Sequence, residues 1–451
     1  MTTAEVVICG AGISGISTAY HLAVRHGVKR VVLIDERPPL TLTSDKSTEA
    51  YRNWWPDAAM VQLLNRSIDW LERWARESGN RFLLNRRGYV YVTADPARVE
   101  PMRVAAEQVS QWGAGELRIH SDRARHYAPI ESHGFDERLA GADLLLDRAL
   151  IRERFPYLNP NVVAALHARR CGWFSGQQLG LYLLEQARAA GVQLIADRVT
   201  RVDVPGQRVA TIQLASGASI DTRCFVNAAG PYLKQVSQLL GVDLPVINEL
   251  HLKIALKDTR GIVPRDAPLL IWTDPQELPW TAEERSDLAA SAETRWLLER
   301  LPDGVHLRPE GGGDSNIVLM LWAYHVEPRE VIVPPPLDEF YPEVVVRGLA
   351  AMIPGLRAYF SKASMALYDG GYYTKTPENR PLAGPLPVEG AYVCGAAAGY
   401  GLMAAGALGE LTAAHITHAA LPDIAAQFTL ARYADPAYQR LRLEPGGSGQ
   451  L

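Results

Sequence analysis

Cysteine is scarce in this chain, with four in 451 residues, and Cys9, Cys171, Cys224 and Cys394 show no metal-ligand spacing. Three of them fall in apolar, strand-like runs where a buried, inert thiol is expected, and unpaired thiols fit a reducing compartment. An excess of one charge is missing too. With 46 Lys and Arg against 50 Asp and Glu, the net charge is −4, and no basic tract offers a footprint for nucleic acid. Long runs of Leu and Ile are absent. The nearest approach, residues 391–416, is rich in Gly and Ala and interrupted by Glu410, so it reads as a strand and a tightly packed helix rather than a membrane span. Residues 1–5 lead straight into an apolar run, without the charged and apolar regions of an export signal, and a cytoplasmic location is the resulting expectation.

What is present is concentrated at the start. Residues 6–9 are apolar and run into Gly10, Gly12 and Gly15, spaced G-x-G-x-x-G. Apolar positions then recur every three or four residues from Ile13 to Val24, which predicts a helix with one buried face and a C-cap at Gly27. A second apolar run, 31–34, ends in Asp35 and Glu36. This strand, turn, helix, strand order is the dinucleotide-binding unit. Gly10 allows the turn, Gly12 lets the backbone approach a pyrophosphate, and Gly15 lets helix and strand pack closely, while the helix N-terminus offers free N–H groups to the anion. An acid at position 35, placed for ribose hydroxyls, favours FAD or NAD over a 2′-phosphorylated cofactor.

The polar run 41–52, TLTSDKSTEAYR, has no sustained period and is expected to form a loop. Two readings stand for it. Ser44, Lys46, Ser47 and Thr48 hold phosphate or ribose while Arg52 faces a substrate anion, or the whole run is a solvated loop. An amphipathic helix follows from Met60 to Ala75. Further helices are expected over 101–112 and 172–190, a strand over 88–93, and a β-meander over 192–226 that ends in Ala228, Ala229 and Gly230. Strands over 246–256, 269–273, 306–308 and 317–325, with a helix over 281–301 opened by a Thr281/Glu284 capping box, suggest a second, antiparallel domain. Residues 372–384 read as a turn-rich polar stretch. Beyond it, Gly395, Gly399 and Gly401 follow a short strand and open a helix, either closing over the same cofactor or only packing closely.

The order VVICGAGISGIS with LIDER, then SDKSTEAYR, FVNAAGPY, and YYTKTPENRPLAGPLP with VCGAAAGYGLMAAGALGEL resembles the FAD-dependent superfamily of D-amino acid oxidase, glycine oxidase and sarcosine oxidase. The resemblance implies an α/β fold, with a Rossmann-like FAD-binding domain and a second α+β substrate domain built on an antiparallel sheet. It implies a discontinuous FAD domain, placed at 1–52, 150–236 and 366–435, and a substrate domain, placed at 53–149 and 237–365 with the 281–301 helix as an insertion; the end of the chain, 436–451, is expected from its composition to be a flexible tail. The FAD contacts it implies are Gly10, Gly12, Ile13, Ser14, Gly15, Asp35, Glu36, Ser44, Lys46, Ser47, Thr48, Val199, Ala228, Gly230, Gly371, Gly395, Gly399, Tyr400, Gly401, Leu402 and Met403. Members of the family oxidise the C–N bond of a small amine or amino acid by transferring the equivalent of a hydride to flavin N5. The resulting imine is hydrolysed, and oxygen or an electron carrier reoxidises the flavin.

Carried over by position, Arg52 is a substrate-side arginine and Tyr373 a substrate-side tyrosine. Gly371 stands where sarcosine oxidases have their flavin-linking cysteine, which implies noncovalent FAD. Met403 stands where they have a carboxylate-binding lysine, which puts a simple α-amino acid in doubt. His251, Lys253 and Tyr324 are the remaining catalytic candidates, each with an alternative on a surface or in a core. Two other functions stay open: a hydroxy-acid dehydrogenase of the same fold, and a flavin-binding assembly or scaffold protein without turnover. Neither a metal nor a nucleic acid partner is expected.

Overall fold

The computed structural model of the protein describes residues 2–122, 127–131, 133–136, 138–436 and 438–439. Strand Val6–Cys9 lies inside a six-stranded sheet, parallel to Val31–Asp35 on one side and Phe225–Asn227 on the other. Gln193–Ala196 and Ala391–Gly395 extend the sheet in parallel, and Leu382–Pro385 closes one edge antiparallel. These central strands are covered on both faces, which is why they read as continuous apolar runs. Their side chains divide with period two. Val6, Ile8, Val31 and Leu33 pack on helices Ile13–Tyr20 and Gly176–Ala189, whereas Val7, Cys9, Val32 and Ile34 pack on a small four-stranded sheet.

A nine-stranded sheet forms the second body, ordered Leu367–Lys375, Ile247–Lys257, Ile317–Leu321, His306–Glu310, Leu269–Trp272, Tyr89–Thr93, Ala164–Ala168, Ala142–Leu145 and Leu117–His120. It is mostly antiparallel, with two parallel pairings. One face is dry: Val90, Ile254, Leu270, Val318 and Met320 bury against helix Tyr341–Met352 through Val344, Val345 and Leu349. The alternate positions, Tyr89, His251, Leu269, His306 and Leu321, look the other way and line a cavity.

Several elements differ from the sequence expectation, each for a local reason. The 192–226 run splits between sheets: Gln193–Ala196 and Phe225–Asn227 join the parallel sheet, and only Val199–Asp203, Thr211–Leu214 and Ser219–Asp221 form the meander. Instead of a helix from 172, Cys171–Trp173 pairs with Ala50–Arg52, and the helix begins at Gly176, where Ser175 Oγ accepts from the Gln178 N–H at 3.3 Å. The polar stretch 372–384 contributes two strands, because Tyr372, Tyr373 and Thr374 are buried against Ile247–Lys257. The capping box at Thr281 and Glu284 is present, yet the helix ends at Ala290 and a separate turn, Arg295–Leu298, follows.

Sheet membership also cuts across the sequence-based division. Ala164–Ala168 and Leu367–Lys375 belong to the nine-stranded sheet, and helix Ala58–Glu77 packs on Gly401–Thr417, where Arg66 pairs with Glu410 at 2.5 Å and Ser67 Oγ accepts from the Ala407 N–H at 3.3 Å. Of the tail expected to be flexible, residues 437 and 440–451 lie outside the described residues. Tyr438 is buried and donates to Glu378 Oε1 at 2.7 Å. Among the described residues no helix is long and apolar enough to cross a membrane.

Candidate active site

The C-terminal tips of Val6–Cys9 and Phe225–Asn227 open into a cavity of about 700 Å³. Gly10 turns the chain there at φ +110°, and a Cβ on it would lie 2.3 Å from the Ala228 carbonyl oxygen. A Cβ on Gly15 would lie 1.9 Å from the Gly10 oxygen, so strand and helix touch through backbone. Helix Ile13–Tyr20 has no side-chain cap from Gly12, and its Ile13 N–H is met by Ser44 Oγ at 3.1 Å. Across the cavity, helix Gly401–Thr417 begins with neither a side-chain cap nor an acid in its first turn. Two helix N-termini, neither capped by the side chain of its own N-cap residue, therefore converge on one space, which suits a pyrophosphate.

Asp35 is fixed at the end of its strand, accepting from Ala11 N–H at 2.8 Å and Arg37 N–H at 2.9 Å. The acid thus faces the cavity where ribose hydroxyls would sit. Gly10, Gly12, Ile13, Ser14, Asp35, Glu36, Ser44, Ser47, Val199, Ala228, Gly230, Gly395, Gly399, Gly401 and Leu402 all line this cavity. A backbone cradle that a Cβ would fill, two anion-seeking helix ends and an oriented acid fit FAD.

A second cavity of about 290 Å³ adjoins it, and Tyr373 and Gly399 line both. Arg52 enters this space from the short Ala50–Arg52 strand. Its guanidinium is buried, donates to the Tyr91 hydroxyl at 2.8 Å, and lies 4.5 Å from the Trp55 ring centroid and 5.9 Å from that of Tyr89. Opposite, His306 Nδ1 lies 2.8 Å from the Gly304 carbonyl. A carbonyl only accepts, so Nδ1 carries the proton and Nε2 is left as an acceptor. Burial pushes this imidazole down to about 4, keeping it neutral.

His251 stacks on Tyr373, and its Nε2 lies 3.3 Å from Glu249 Oε2. Lys375 Nζ reaches the other oxygen of Glu249 at 2.6 Å. Burial raises the Glu249 carboxyl, but hydrogen bonds from His251 and Lys375 outweigh it and hold the group below its usual range. The His251 imidazole is lowered by burial, with Glu249 opposing. Burial alone lifts the Tyr373 phenol to about 12, so it enters any reaction protonated.

Of the five catalytic candidates, Arg52, His251 and Tyr373 meet at this second cavity. Lys253 and Tyr324 do not. The Lys253 ammonium is turned away, donating to the Ser47 carbonyl at 3.1 Å and the Asp45 carbonyl at 3.4 Å. Tyr324 points to the far side of the sheet, where its hydroxyl donates to Asp338 at 2.9 Å among the rings of Trp296 and Tyr341. Six residues expected at the cofactor do not line the first cavity. Thr48, Tyr400 and Met403 line the second cavity rather than the first, Gly15 packs behind the glycine turn, and Lys46 and Gly371 line neither. Lys46 is drawn off by Asp45 at 2.8 Å and Asp369 at 3.1 Å. His306, Trp55, Tyr89 and Glu249 were not singled out from sequence as site residues. Alternation in the GYVYVT run marks Tyr89 as facing one way, but nothing in the chain around His306 distinguishes it from a core histidine.

A mostly parallel sheet with a dinucleotide-type glycine turn, whose cavity meets an arginine-bearing cavity at Tyr373 and Gly399 beside a mostly antiparallel sheet, is the arrangement of a flavin-dependent oxidoreductase. Residues 5–415 match the family described as DAO, FAD dependent oxidoreductase, and the chain belongs to that family. Human mitochondrial dimethylglycine dehydrogenase is 24% identical over 427 residues, which cover 93% of this chain and 43% of that protein. The chain therefore spans less than half the length of this curated relative. Among solved structures, L-proline dehydrogenase from P. horikoshii aligns with a TM-score of 0.73 at 19% identity, covering 96% of this chain and 98% of that one. Glycine oxidase from Geobacillus kaustophilus aligns with a TM-score of 0.72 at 14% identity, covering 95% and 99%.

Proposed function

We propose that the protein oxidises the CH–NH bond of a small amino acid or carboxylated amine to an imine, with noncovalent FAD as the immediate oxidant. The observation that carries this reading is Arg52, buried at a cavity that meets the cofactor cavity at Tyr373 and Gly399. FAD, when bound, supplies the two-electron sink. Arg52 takes the carboxylate, and its charge acts strongly in an enclosed site walled by Trp55, Leu269, Ile271 and Met403. Neutral His306 offers Nε2 to a substrate N–H, which orients the amine without repelling it. Lys375 is balanced by Glu249, so Arg52 governs anion binding even with Met403 in place of a family lysine. The imine then hydrolyses, and dioxygen or an electron carrier restores the oxidised cofactor.

The substrates named for the related proteins, dimethylglycine, L-proline and glycine, each carry nitrogen one carbon from a carboxylate, which supports this reading. Anaerobic titration of the FAD-loaded protein tests it. Bleaching of the visible flavin absorbance by sarcosine, glycine or L-proline is expected, and none by glycolate or lactate. Bleaching by the hydroxy acids alone would replace the proposal with a hydroxy-acid dehydrogenase. Bleaching by neither group would favour a scaffold without turnover.

A further inference from the structure

The loop between the dinucleotide unit and Arg52 serves both cavities. Ser44 and Ser47 line the cofactor cavity, and Thr48 lines the substrate cavity. Its carbonyls are taken by two cations from the nine-stranded sheet. Arg308, 1% exposed, donates to the Thr48 oxygen through Nε at 2.9 Å and Nη2 at 2.7 Å. Lys253 donates to the Ser47 and Asp45 oxygens at 3.1 and 3.4 Å. Neither cation lines either cavity.

The next residue, Glu49, is held in the left-handed region at φ +58°, a conformation that costs free energy unless its surroundings enforce it. Here they do. Its side chain accepts from the Gly176 N–H at 2.7 Å and lies 3.7 Å from Arg308, its carbonyl accepts from the Phe174 N–H at 3.0 Å, and its N–H donates to Ser47 Oγ at 3.0 Å. Arg308 lies two residues beyond His306 on one strand, and Lys253 pairs in register with Leu321, which pairs with His306. The cations that hold the loop and the wall of the substrate cavity are thus parts of one sheet.

We propose that Arg308 and Lys253 are positioning residues: they clasp residues 45–48 by the backbone and set Ser44 and Ser47 against FAD. Two N–H groups of a desolvated guanidinium on one carbonyl form a strong and direction-specific hold, and losing either cation leaves a carbonyl without its charged donor. The loop then loses its preferred shape in the cofactor-free protein, and FAD binding must restore it.

The test is FAD binding to apo-protein, followed by quenching of flavin fluorescence, with thermal unfolding of the same apo-protein as the second readout. Lys253→Met is expected to raise the FAD Kd roughly tenfold while the apo-protein Tm stays near wild type, and Lys253→Arg to recover most of the affinity. Arg308→Met should weaken FAD further, and Arg308→Lys should not restore it, because a single ammonium does not reproduce the paired donation. Wild-type FAD affinity in Lys253→Met would overturn the proposal. So would a fall in apo-protein Tm that accounts for the whole loss of FAD in both methionine variants, since that would make the cations general supports of the fold.

Discussion

The imidazole of His251 lies flat on the phenol ring of Tyr373, with centroids 3.9 Å apart and planes inclined by 13°. The two residues come from neighbouring antiparallel strands, and Tyr373 borders both cavities. The stack therefore stands at the junction of the two cavities. Tyr373→Phe keeps the stack and loses the hydroxyl, whereas Tyr373→Leu loses both. An aromatic pair of this kind contributes roughly 0.5–1.5 kcal/mol beyond its buried area. We expect kcat/KM to fall up to about tenfold further in the leucine than in the phenylalanine variant. Equal values for the two would mean that the stack has no part in catalysis.

Arg52 is held from behind by the Tyr91 hydroxyl and from the side by Trp55. A guanidinium so placed presents a fixed, planar donor set, which a lysine does not copy. Arg52→Met should lower kcat/KM for a carboxylated amine by about a hundredfold or more, as expected for losing one partner of a buried charge pair. Arg52→Lys should recover little of it. The same substitutions should leave an amine without a carboxylate oxidised at its original low rate. Steady-state kinetics on a matched pair, such as sarcosine and dimethylamine, makes the comparison.

Much of this architecture is written locally. The glycine turn, the acid at 35 and the helix after 400 each announce themselves through spacing that the backbone demands, and all three line one cavity. The second cavity is not written that way. His306, Glu249 and Tyr89 belong to three strands far apart in the chain, and only the register of the nine-stranded sheet brings them together. Lys253 illustrates the same limit from the other side. Its alternation with His251 correctly put both on one face of a strand, but two residues along a strand is roughly 7 Å, enough to carry the ammonium past the substrate cavity to the loop carbonyls. Tyr324 lies beyond the end of strand Ile317–Leu321, where alternation no longer predicts the face.

Acid stability should carry the mark of His306. Its imidazole is lowered by burial from an ordinary 6.5 to about 4. Between these values the unfolded chain holds the proton and the folded one does not, so stability rises with pH across that window. The contribution of the neutral ring is complete above pH 6.5 and is lost as pH falls toward 4. His306→Asn, which keeps a donor for the Gly304 carbonyl but does not titrate, should flatten part of the acid limb of Tm against pH. His21 and His167 are lowered by burial in the same sense, so the limb becomes shallower without vanishing. An unchanged limb in the variant would mean that His306 titrates normally in the folded protein.

The flavin should leave the protein on acid precipitation. Gly371 has no side chain to offer, and one could not be added freely, since a Cβ there would lie 2.8 Å from the Lys46 Cβ. Cys9 borders the cofactor cavity, but burial first, and the charges of Asp35 and Glu36 next, lift its thiol to about 12. A thiol held so far from ionisation is a poor nucleophile. Tyr373 is equally far from its phenolate. Precipitated holoprotein should therefore give a colourless pellet and a yellow supernatant carrying one FAD per chain. Colour retained in the pellet would establish a covalent link, and peptide mapping of the flavin-bearing fragment would identify the residue that forms it.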